Sequence, residues 1–205
     1  MEITPSSYPW QSIYKIMIGS ILPRPIGWIS TLDVEGRRNL APYSFFNGAG
    51  ANPPHVLFTP MLRSSDGTSK DTLTNVRETG EFVVNIVSGA LIEAMNHTSG
   101  EYPTGADEFA LAGLTAVPSV TVRPPRVAES PIHYECKVVQ IIELGTEPGA
   151  GTVVIGRVEH LHVADEYLIG TDKIDIARLD PVGRLAGSGY AHTRDRFNLE
   201  RPQVR

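Results

Sequence analysis

The 205-residue sequence has one cysteine and no long apolar run. A single cysteine, Cys136, excludes an internal disulfide framework and any zinc or iron-sulfur site built from several cysteines of one chain. No apolar stretch approaches the roughly 20 residues of a membrane-spanning helix, and the first residues lack the basic and then apolar layout of a signal peptide. These absences predict a cytoplasmic protein in a reducing compartment.

The sequence also lacks a large excess of charge of either sign. Its 18 Lys and Arg against 23 Asp and Glu give a net charge of -5, which argues against broad electrostatic binding to nucleic acid or to an anionic membrane. Hydrophobic residues make up 41% and charged residues 20% of the chain, an ordinary globular composition. No repeat or linker divides the sequence, so we predict one domain over residues 1–205.

Several familiar catalytic motifs are missing as well. The sequence has no GxSxG elbow, no Walker loop and no GxGxxG after a predicted strand, so hydrolase, NTPase and Rossmann functions lack support. No HExxH pattern is present. His160 and His162 lie two apart on a predicted strand and could pair on a metal, but half-exposed strand histidines are the favoured interpretation. We therefore predict no metal site.

The clearest chemical pattern is a predicted β-hairpin over residues 23–47, PRPIGWISTLDVEGRRNLAPYSFFN. Residues 26–32 are rich in β-branched and aromatic residues, residues 33–38 contain a Glu-Gly turn signal, and an apolar segment follows. The second arm places hydroxyl and amide groups beside two aromatic rings, a mixture that suits a flat ligand with polar edges. Alternatively, these polar side chains only satisfy the local backbone. The residues are Asn39, Tyr43, Ser44, Phe45, Phe46 and Asn47.

The rest of the sequence predicts a mainly β protein with a few short helices, arranged as a Greek-key barrel. The strongest strands are residues 132–144 and 152–163, which should form a long hairpin. The predicted helices are residues 71–79 and 91–95. The other predictions are an extended lead-in over 1–12, a short helix or strand over 14–22, a loop over 48–54, and strands over 55–59 and 82–87.

A candidate anion site precedes the first of these helices. Residues 68–72, TSKDT, place hydroxyl groups and the Lys70 ammonium at a helix start, where the first backbone N–H groups have no intrahelical partners. The alternative is a plain helix cap with an exposed lysine. Together with the donor-rich hairpin arm, the segment favours a phosphorylated ligand.

Residues 183–190, GRLAGSGY, superficially suggest a nucleotide loop. The sequence predicts neither a strand before it nor a helix after it, so the signal is weak. An equally good interpretation is a C-terminal segment that lays Arg184 or Tyr190 over a partner chain.

Several segments together resemble the flavin reductase-like family of the FMN-binding split barrel. The resemblance covers about residues 12–190, and the first and third segments are the most specific. It implies a homodimeric split β-barrel that holds FMN along the first hairpin, with FAD as an alternative flavin. The segments are PRPIGWISTLDVEGRRNLAPYSFFN, NPPHVLFTP, KDTLTNVRETGEFVVNIV, LIEAMN, DEF, ECKV and PVGRLAG-x-x-Y.

The resemblance also implies a set of flavin-binding residues. One group would line the ring, largely through backbone groups, and a second would surround the phosphate or ribityl chain. Arg184 and Tyr190 match the closing motif, although Ala186 stands where Gly is common. The ring group is Trp28, Ile29, Ser30, Thr31, Asn39, Ala41, Ser44, Phe45, Phe46 and Asn47; the phosphate group is Lys70, Asp71 and Thr72.

Three functions remain open on this resemblance. The first is an NAD(P)H-dependent flavin reductase that supplies reduced flavin to a flavin-dependent monooxygenase or another acceptor; FMN would supply the chemistry, so no catalytic side chain is predicted. The second is a flavoredoxin-like electron carrier that holds FMN without direct NAD(P)H turnover. The third is a barrel that has lost flavin. The sequence does not choose NADH over NADPH.

Overall fold

The computed structural model describes residues 1–203 and confirms a mainly β fold with a few short helices. The helices are α1 (Trp10–Ser20), α2 (Asp71–Thr79), α3 (Ile92–His97), α4 (Glu108–Leu111) and α5 (Ile176–Leu179), with 3-10 turns at Pro5–Ser7, Gly89–Leu91 and Asp165–Tyr167. The strands are β1 (Arg24–Pro25), β2 (Gly27–Leu32), β3 (Arg38–Tyr43), β4 (Phe46–Ala51), β5 (Pro54–Phe58), β6 (Glu81–Ile86), β7 (Ala116–Val117), β8 (Arg126–Val127), β9 (Ile132–Glu143), β10 (Thr152–Val163), β11 (Leu168–Ile169), β12 (Lys173–Ile174), β13 (Val182–Arg184) and β14 (Tyr190–His192).

Seven strands form one antiparallel sheet in the order β3-β2-β6-β9-β10-β5-β4. The predicted long hairpin of β9 and β10 lies at its centre, with two register shifts along the pair. A separate three-stranded sheet joins β1 to the C-terminal hairpin of β13 and β14. This second sheet brings the C-terminal region beside the start of β2.

The predicted first hairpin is confirmed as β2 and β3, paired from Gly27 with Tyr43 to Leu32 with Arg38. Its turn is held by the Asp33 carboxylate, which accepts hydrogen bonds from the N–H groups of Glu35 (2.9 Å) and Arg37 (2.8 Å). Gly36 has a φ of 84° there, a conformation that glycine adopts without steric cost. β3 is an edge strand of the seven-stranded sheet, so one of its two sides has no strand partner.

Both faces of this hairpin are buried because successive side chains of a strand point to opposite faces. Ile29 and Tyr43 belong to a core with Phe58 and Phe82, whereas Trp28 and Leu40 belong to a second core on the other face. Ser30 and Thr31, the polar residues of β2, are fully buried as well, and their hydroxyl groups are hydrogen-bonded.

Two local predictions were wrong. The N-terminal region is not an extended lead-in, because α1 begins at Trp10 directly after Pro9 and continues to Ser20 without an internal proline. The segment 48–54 is not all loop, because Phe46–Ala51 forms β4, an edge strand paired with β5 through a bulge between Gly48 and Gly50. The small residues of β4 fit an exposed, bulged edge.

The C-terminal segment also differs from its prediction. A strand, β13, leads into residues 183–190, and the chain returns as β14. Gly187, with a φ of 58°, lies in the connection. A β-hairpin, not a strand followed by a helix, is thus the context of this glycine-rich motif, which removes the resemblance to a dinucleotide loop.

Gly156 on β10 provides a test of the packing between the sheet and its core. A Cβ atom at this position would lie 2.5 Å from Cε1 of Phe82 and 3.2 Å from Cβ of Cys136, both of which are fully buried. We expect Gly156→Ala to reduce the free energy of unfolding by about 1–3 kcal/mol, the usual cost of overpacking.

Urea unfolding measures this loss, with Gly48→Ala as the matched control. Gly48 also lies on a strand, but a Cβ there has nothing within 4 Å. Equal stability of the two variants would contradict the predicted steric conflict.

Candidate functional site

A cleft runs along the free side of β3. Its central cavity, of about 160 Å³, is bounded by β3, by the start of α2 and by residues 98–102 after α3. A second cavity of about 140 Å³ shares Pro42, Tyr43 and Lys70 with it, and a third of about 170 Å³ shares Pro42 and Ser99. We call these three connected cavities the β3 cleft.

Lys70 is one of two cations at the central cavity, whose walls also include the acids Asp71, Glu101 and Glu108. It occupies the cap position of α2, where no side chain caps the helix. Its Nζ lies 5.9 Å from the centre of the Tyr43 ring. Burial lowers the pKa of Lys70, and the charge of Arg63 lowers it further. Within residues 1–203 its ammonium group forms no ion pair, which leaves it free to bind an anion.

Arg63 adds a second cation that sequence analysis did not identify. Its guanidinium lies 3.8 Å from the Asp71 carboxylate, a long separation for an ion pair. Asp71 instead accepts hydrogen bonds from the Thr104 hydroxyl and the Gly105 N–H, both at 3.2 Å. Asp71 therefore ties α2 to the 104–105 loop while leaving Arg63 weakly engaged.

Tyr43 places a buried hydroxyl group in the same cavity. The residue is only 6% exposed, and its hydroxyl has no hydrogen-bond partner among the described residues. Burial raises the pKa of Tyr43 well above its usual range, so the group stays a neutral donor. A buried hydroxyl without a partner costs free energy, and a polar ligand in the cleft would relieve that cost.

Glu108 is a further cleft residue that the sequence motif contained but that we did not assign to the site. Its buried carboxylate accepts a hydrogen bond from the N–H of Leu40 at 3.0 Å. Burial raises the pKa of Glu108, and the nearby acids Asp71 and Asp107 raise it further. Glu108 thus fixes β3 against α4 next to the cations.

A buried network of amides and hydroxyls positions the helix start against the hairpin. The Asn39 side-chain amide donates to the hydroxyls of Thr72 (2.8 Å) and Thr31 (3.2 Å), and Asn75 also donates to Thr31 (2.9 Å). Asn39, Lys70, Asp71 and Thr72, all predicted site residues, are brought together at the central cavity along with Ala41.

The structure does not bring the side chains of β2 into the β3 cleft. Trp28, Ile29, Ser30 and Thr31 are fully buried, and β2 is paired with β3 on one side and with β6 on the other. Trp28 Nε1–H donates to the Thr98 hydroxyl at 2.8 Å, and Thr98 lines the cleft. Trp28 therefore holds Thr98 in the wall of the cleft. Direct contact of Trp28, Ile29, Ser30 and Thr31 with a ligand stays a prediction.

The remaining hairpin residues are spread over several environments. Ser44 lines the two flanking cavities, and Phe45 lines the 140 Å³ cavity. Phe46 packs against the core, and a Cβ on Gly27 would collide with its ring. Asn47 is exposed and its side-chain oxygen accepts from the N–H of Gly48 at 2.9 Å. Ser44 is thus the member of this group that lines two of the three cavities.

The predicted C-terminal pair, Arg184 and Tyr190, lies together at the 170 Å³ cavity. Arg184 Cζ is 4.4 Å from the centre of the Tyr190 ring, a stacked cation-π contact. The Tyr190 hydroxyl donates to Asn96 Oδ1 at 2.9 Å. The closing motif therefore forms one end of the same cleft that Lys70 marks in the centre.

No group of three or more His, Cys, Asp or Glu side chains within residues 1–203 is arranged to hold a metal ion. His162 Nε2 lies 2.6 Å from the buried Glu135 carboxylate, and the His160 and His162 rings are 4.6 Å apart.

In the part of the chain that the structure describes, no helix is long and apolar enough to cross a membrane.

Residues 18–173 match the family model described as the flavin reductase like domain. An uncharacterized protein of Halalkalibacterium halodurans is 42% identical over 206 residues, which cover 100% of this chain and 98% of that protein. The structure is similar to nitrilotriacetate monooxygenase component B from Bacillus cereus, with a TM-score of 0.91 and 36% identity over 97% of this chain and 98% of the other. It is also similar to flavoredoxin of Desulfovibrio vulgaris (Miyazaki F), with a TM-score of 0.75 and 25% identity over 87% and 91%.

These matches identify the seven-stranded sheet as the split β-barrel predicted from the sequence. They also agree with the oxidoreductase class implied by the resemblance. The chain belongs to the flavin reductase-like domain family.

Proposed function

We propose that this protein is a flavin reductase that binds FMN in the β3 cleft and takes a hydride from NADH or NADPH. Membership of the family supports a flavin cofactor. The observation that favours FMN is the local chemistry at the start of α2. There, an unpaired lysine, an uncapped helix and an unpartnered buried hydroxyl meet in one cavity.

The residues present fit a phosphate-bearing flavin. Lys70 and the first N–H groups of α2 would bind the phosphate, since cations and helix N-termini both favour anions. Tyr43 would donate its hydroxyl proton to a phosphate or ribityl oxygen. Asn39 and Thr72 hold the helix start in place through their mutual hydrogen bond. Arg184 and Tyr190 would contact the flavin from the end of the cleft, as the resemblance to the family implies.

FMN, when bound, supplies a ring that accepts a hydride from nicotinamide and passes its electrons on, and FAD remains an alternative flavin. The protein contributes binding and orientation, and no acid or base of the chain is required. We further propose that it supplies reduced flavin to a flavin-dependent monooxygenase or another redox partner in the cytoplasm. The similarity to a monooxygenase component B supports this partner class.

We also propose a homodimer. In the described chain, α1 has no buried residue, and Trp10 and Met17 on it are 38% and 44% exposed. Tyr14 of the same helix packs edge-on against Phe45, a residue of the cleft, with ring centres 6.4 Å apart. A second copy that covered α1 would therefore also stabilise this side of the cleft.

Steady-state oxidation of NADH and NADPH with added FMN tests the proposal. We expect turnover with at least one nicotinamide, on the order of 1 to 10³ per second, as for typical enzymes. Gel filtration of the FMN-loaded protein reports in the same preparation whether the flavin is retained and whether the mass is that of a dimer.

The outcomes separate the candidate functions. Tight retention of FMN without nicotinamide oxidation would replace the reductase with an electron carrier, the function that similarity to flavoredoxin supports. A protein that binds neither FMN nor FAD would contradict both. Turnover with FMN and its rapid loss on the column would indicate that flavin is a released substrate.

A further inference from the structure

Arg24 is a buried cation that lies outside the predicted set of flavin-binding residues. It is 4% exposed, and on β1 it is paired with Arg184 of β13. Burial lowers the pKa of Arg24, and the charge of Arg184 lowers it further, but an arginine side chain stays protonated in a protein. A buried charge is costly unless it is hydrogen-bonded, so the acceptors around Arg24 show what holds it there.

The acceptors of Arg24 lie on three separate parts of the chain. Its Nη1 donates to the carbonyls of Ile18 (2.8 Å) and Ile21 (3.0 Å) at the end of α1. Its Nη2 donates to the carbonyl of Leu185 (3.0 Å) in the connection between β13 and β14, and its Nε donates to the Ser44 hydroxyl (3.3 Å) between β3 and β4. The end of a helix attracts a cation, so the bonds to α1 explain the place of the guanidinium group. The bond to Ser44 is an additional contact that reaches the β3 cleft.

This contact orients the Ser44 hydroxyl. A guanidinium group has no acceptor, so the Ser44 oxygen accepts from Arg24 and its own O–H proton is left for another partner. Within residues 1–203 this hydroxyl donates to no other group, and Ser44 lines two of the three cavities of the β3 cleft. A hydroxyl that accepts from a cation is also a stronger donor, because hydrogen bonds in a chain polarise one another. Ser44 therefore offers a hydrogen-bond donor to a ligand in the cleft.

We propose that Arg24 is a positioning residue that holds the Ser44 hydroxyl as a hydrogen-bond donor to the flavin ring. This inference rests on the proposed function, because it requires a flavin in the β3 cleft. Ser44 would donate more strongly to the reduced ring, which is richer in electrons, than to the oxidised ring. Arg24 and Ser44 together would thus raise the reduction potential of the bound flavin, and they would do so for FMN and riboflavin alike, since the two flavins share one ring.

Fluorescence and potentiometric titrations with riboflavin test the pair. We expect Arg24→Gln and Ser44→Ala each to weaken oxidised riboflavin about threefold and reduced riboflavin about tenfold more, which lowers the reduction potential of the bound flavin by about 30 mV. The double variant should lose no more than Ser44→Ala alone, because Arg24 acts through Ser44. The matched control is Arg126→Gln, since Arg126 also donates to a backbone carbonyl, that of Pro118 at 3.1 Å, but lines none of the three cavities.

Arg24→Lys separates the contact from the charge. A lysine keeps the positive charge, but its single nitrogen cannot hold Ser44 and three carbonyls in the geometry of a guanidinium group. We expect the same fall in reduction potential as in Arg24→Gln. A native potential in Arg24→Lys would overturn the proposal and assign the effect to the charge of Arg24. This variant also keeps the test decisive if Arg24→Gln fails to fold.

A merely structural role of Arg24 would lower stability without changing the potential of the flavin that still binds. An unchanged potential in Ser44→Ala, or additive losses in the double variant, would therefore overturn the proposal. Flavin binding by the native protein that neither substitution affects would contradict this inference and leave the proposed function standing. A native protein that bound no flavin would contradict both.

Discussion

Replacing Lys70 with Glu is expected to weaken FMN binding by about 100-fold while leaving riboflavin binding nearly unchanged. Lys70 is the unpaired cation at the uncapped start of α2. A hydrogen bond to a charged group contributes about 1.5–3 kcal/mol, and a glutamate would add repulsion to the phosphate. Riboflavin has no phosphate, so it should not sense the substitution.

Fluorescence titration with both flavins measures this difference. Lys70→Gln, which removes the charge without reversing it, should give an intermediate loss of about tenfold for FMN. Lys173→Glu is the matched control, because it makes the same change of charge on the exposed strand β12. If Lys70→Glu weakened FMN and riboflavin equally, the phosphate would not lie at this helix.

Lowering the pH from 7 to 4 is expected to reduce the free energy of unfolding by about 3 kcal/mol through His133 alone. This residue is 5% exposed, its Nε2 donates to the Val127 carbonyl at 2.7 Å, and its Nδ1 has no partner within the described chain. Burial lowers its pKa from 6.5 to about 4, helped by the charge of Arg126.

The loss of stability on acidification follows from the difference in proton binding between the folded and unfolded states. Between pH 6.5 and 4 the unfolded chain holds a proton on His133 that the folded protein excludes, so acid favours unfolding in this window. Below about pH 4 both states are protonated and the loss from this group ends. Glu135 acts in a separate window. Burial raises its pKa, but hydrogen bonds from Thr121, Val120 and His162 outweigh burial and lower the pKa to about 2. Its contribution to stability is therefore lost between about pH 4.5 and 2.

Urea unfolding at pH 7, 5.5 and 4 tests this dependence, with His133→Gln as the variant. Its side-chain amide can still donate to Val127 but does not titrate, so the stability loss between pH 6.5 and 4 should shrink. His97→Gln, at the exposed end of α3, is the control for removing a histidine. An identical pH profile in the native protein and His133→Gln would assign the acid sensitivity to other groups.

The elements predicted best from the sequence have strong local patterns. The helix over residues 71–79 was predicted with the observed bounds, since Gly80 adopts the left-handed conformation just past its end. The long strands β9 and β10 were also found, because their Val and Ile content is unambiguous. The edge strand β4 was missed because its sequence, FNGAGA, has little strand propensity and is ordered by pairing with β5.

The residues of the candidate site also fall into those that a local sequence pattern predicted and those that it did not. Lys70, Asp71 and Thr72 were predicted from a helix start in the sequence, and the structure places them in the cleft. Arg63 and Glu108 were not predicted, because neighbours distant in sequence bring them to the same cavity. The hydrogen bond from Leu40 to Glu108 spans 68 residues, a distance that no local pattern encodes.

By itself, the sequence determined the family, the mainly β fold, the first hairpin and the helix start with its lysine, since each depends on a motif or on local periodicity. Only the tertiary structure decided that β2 is paired on both sides and that the cleft follows the free side of β3. It also decided that Arg24 and Arg184 meet, although 160 residues separate them. Which side chains are buried, which polar groups lack a hydrogen-bond partner and which charges lack an ion pair all depend on how distant segments pack together. These properties therefore become visible only in the folded chain.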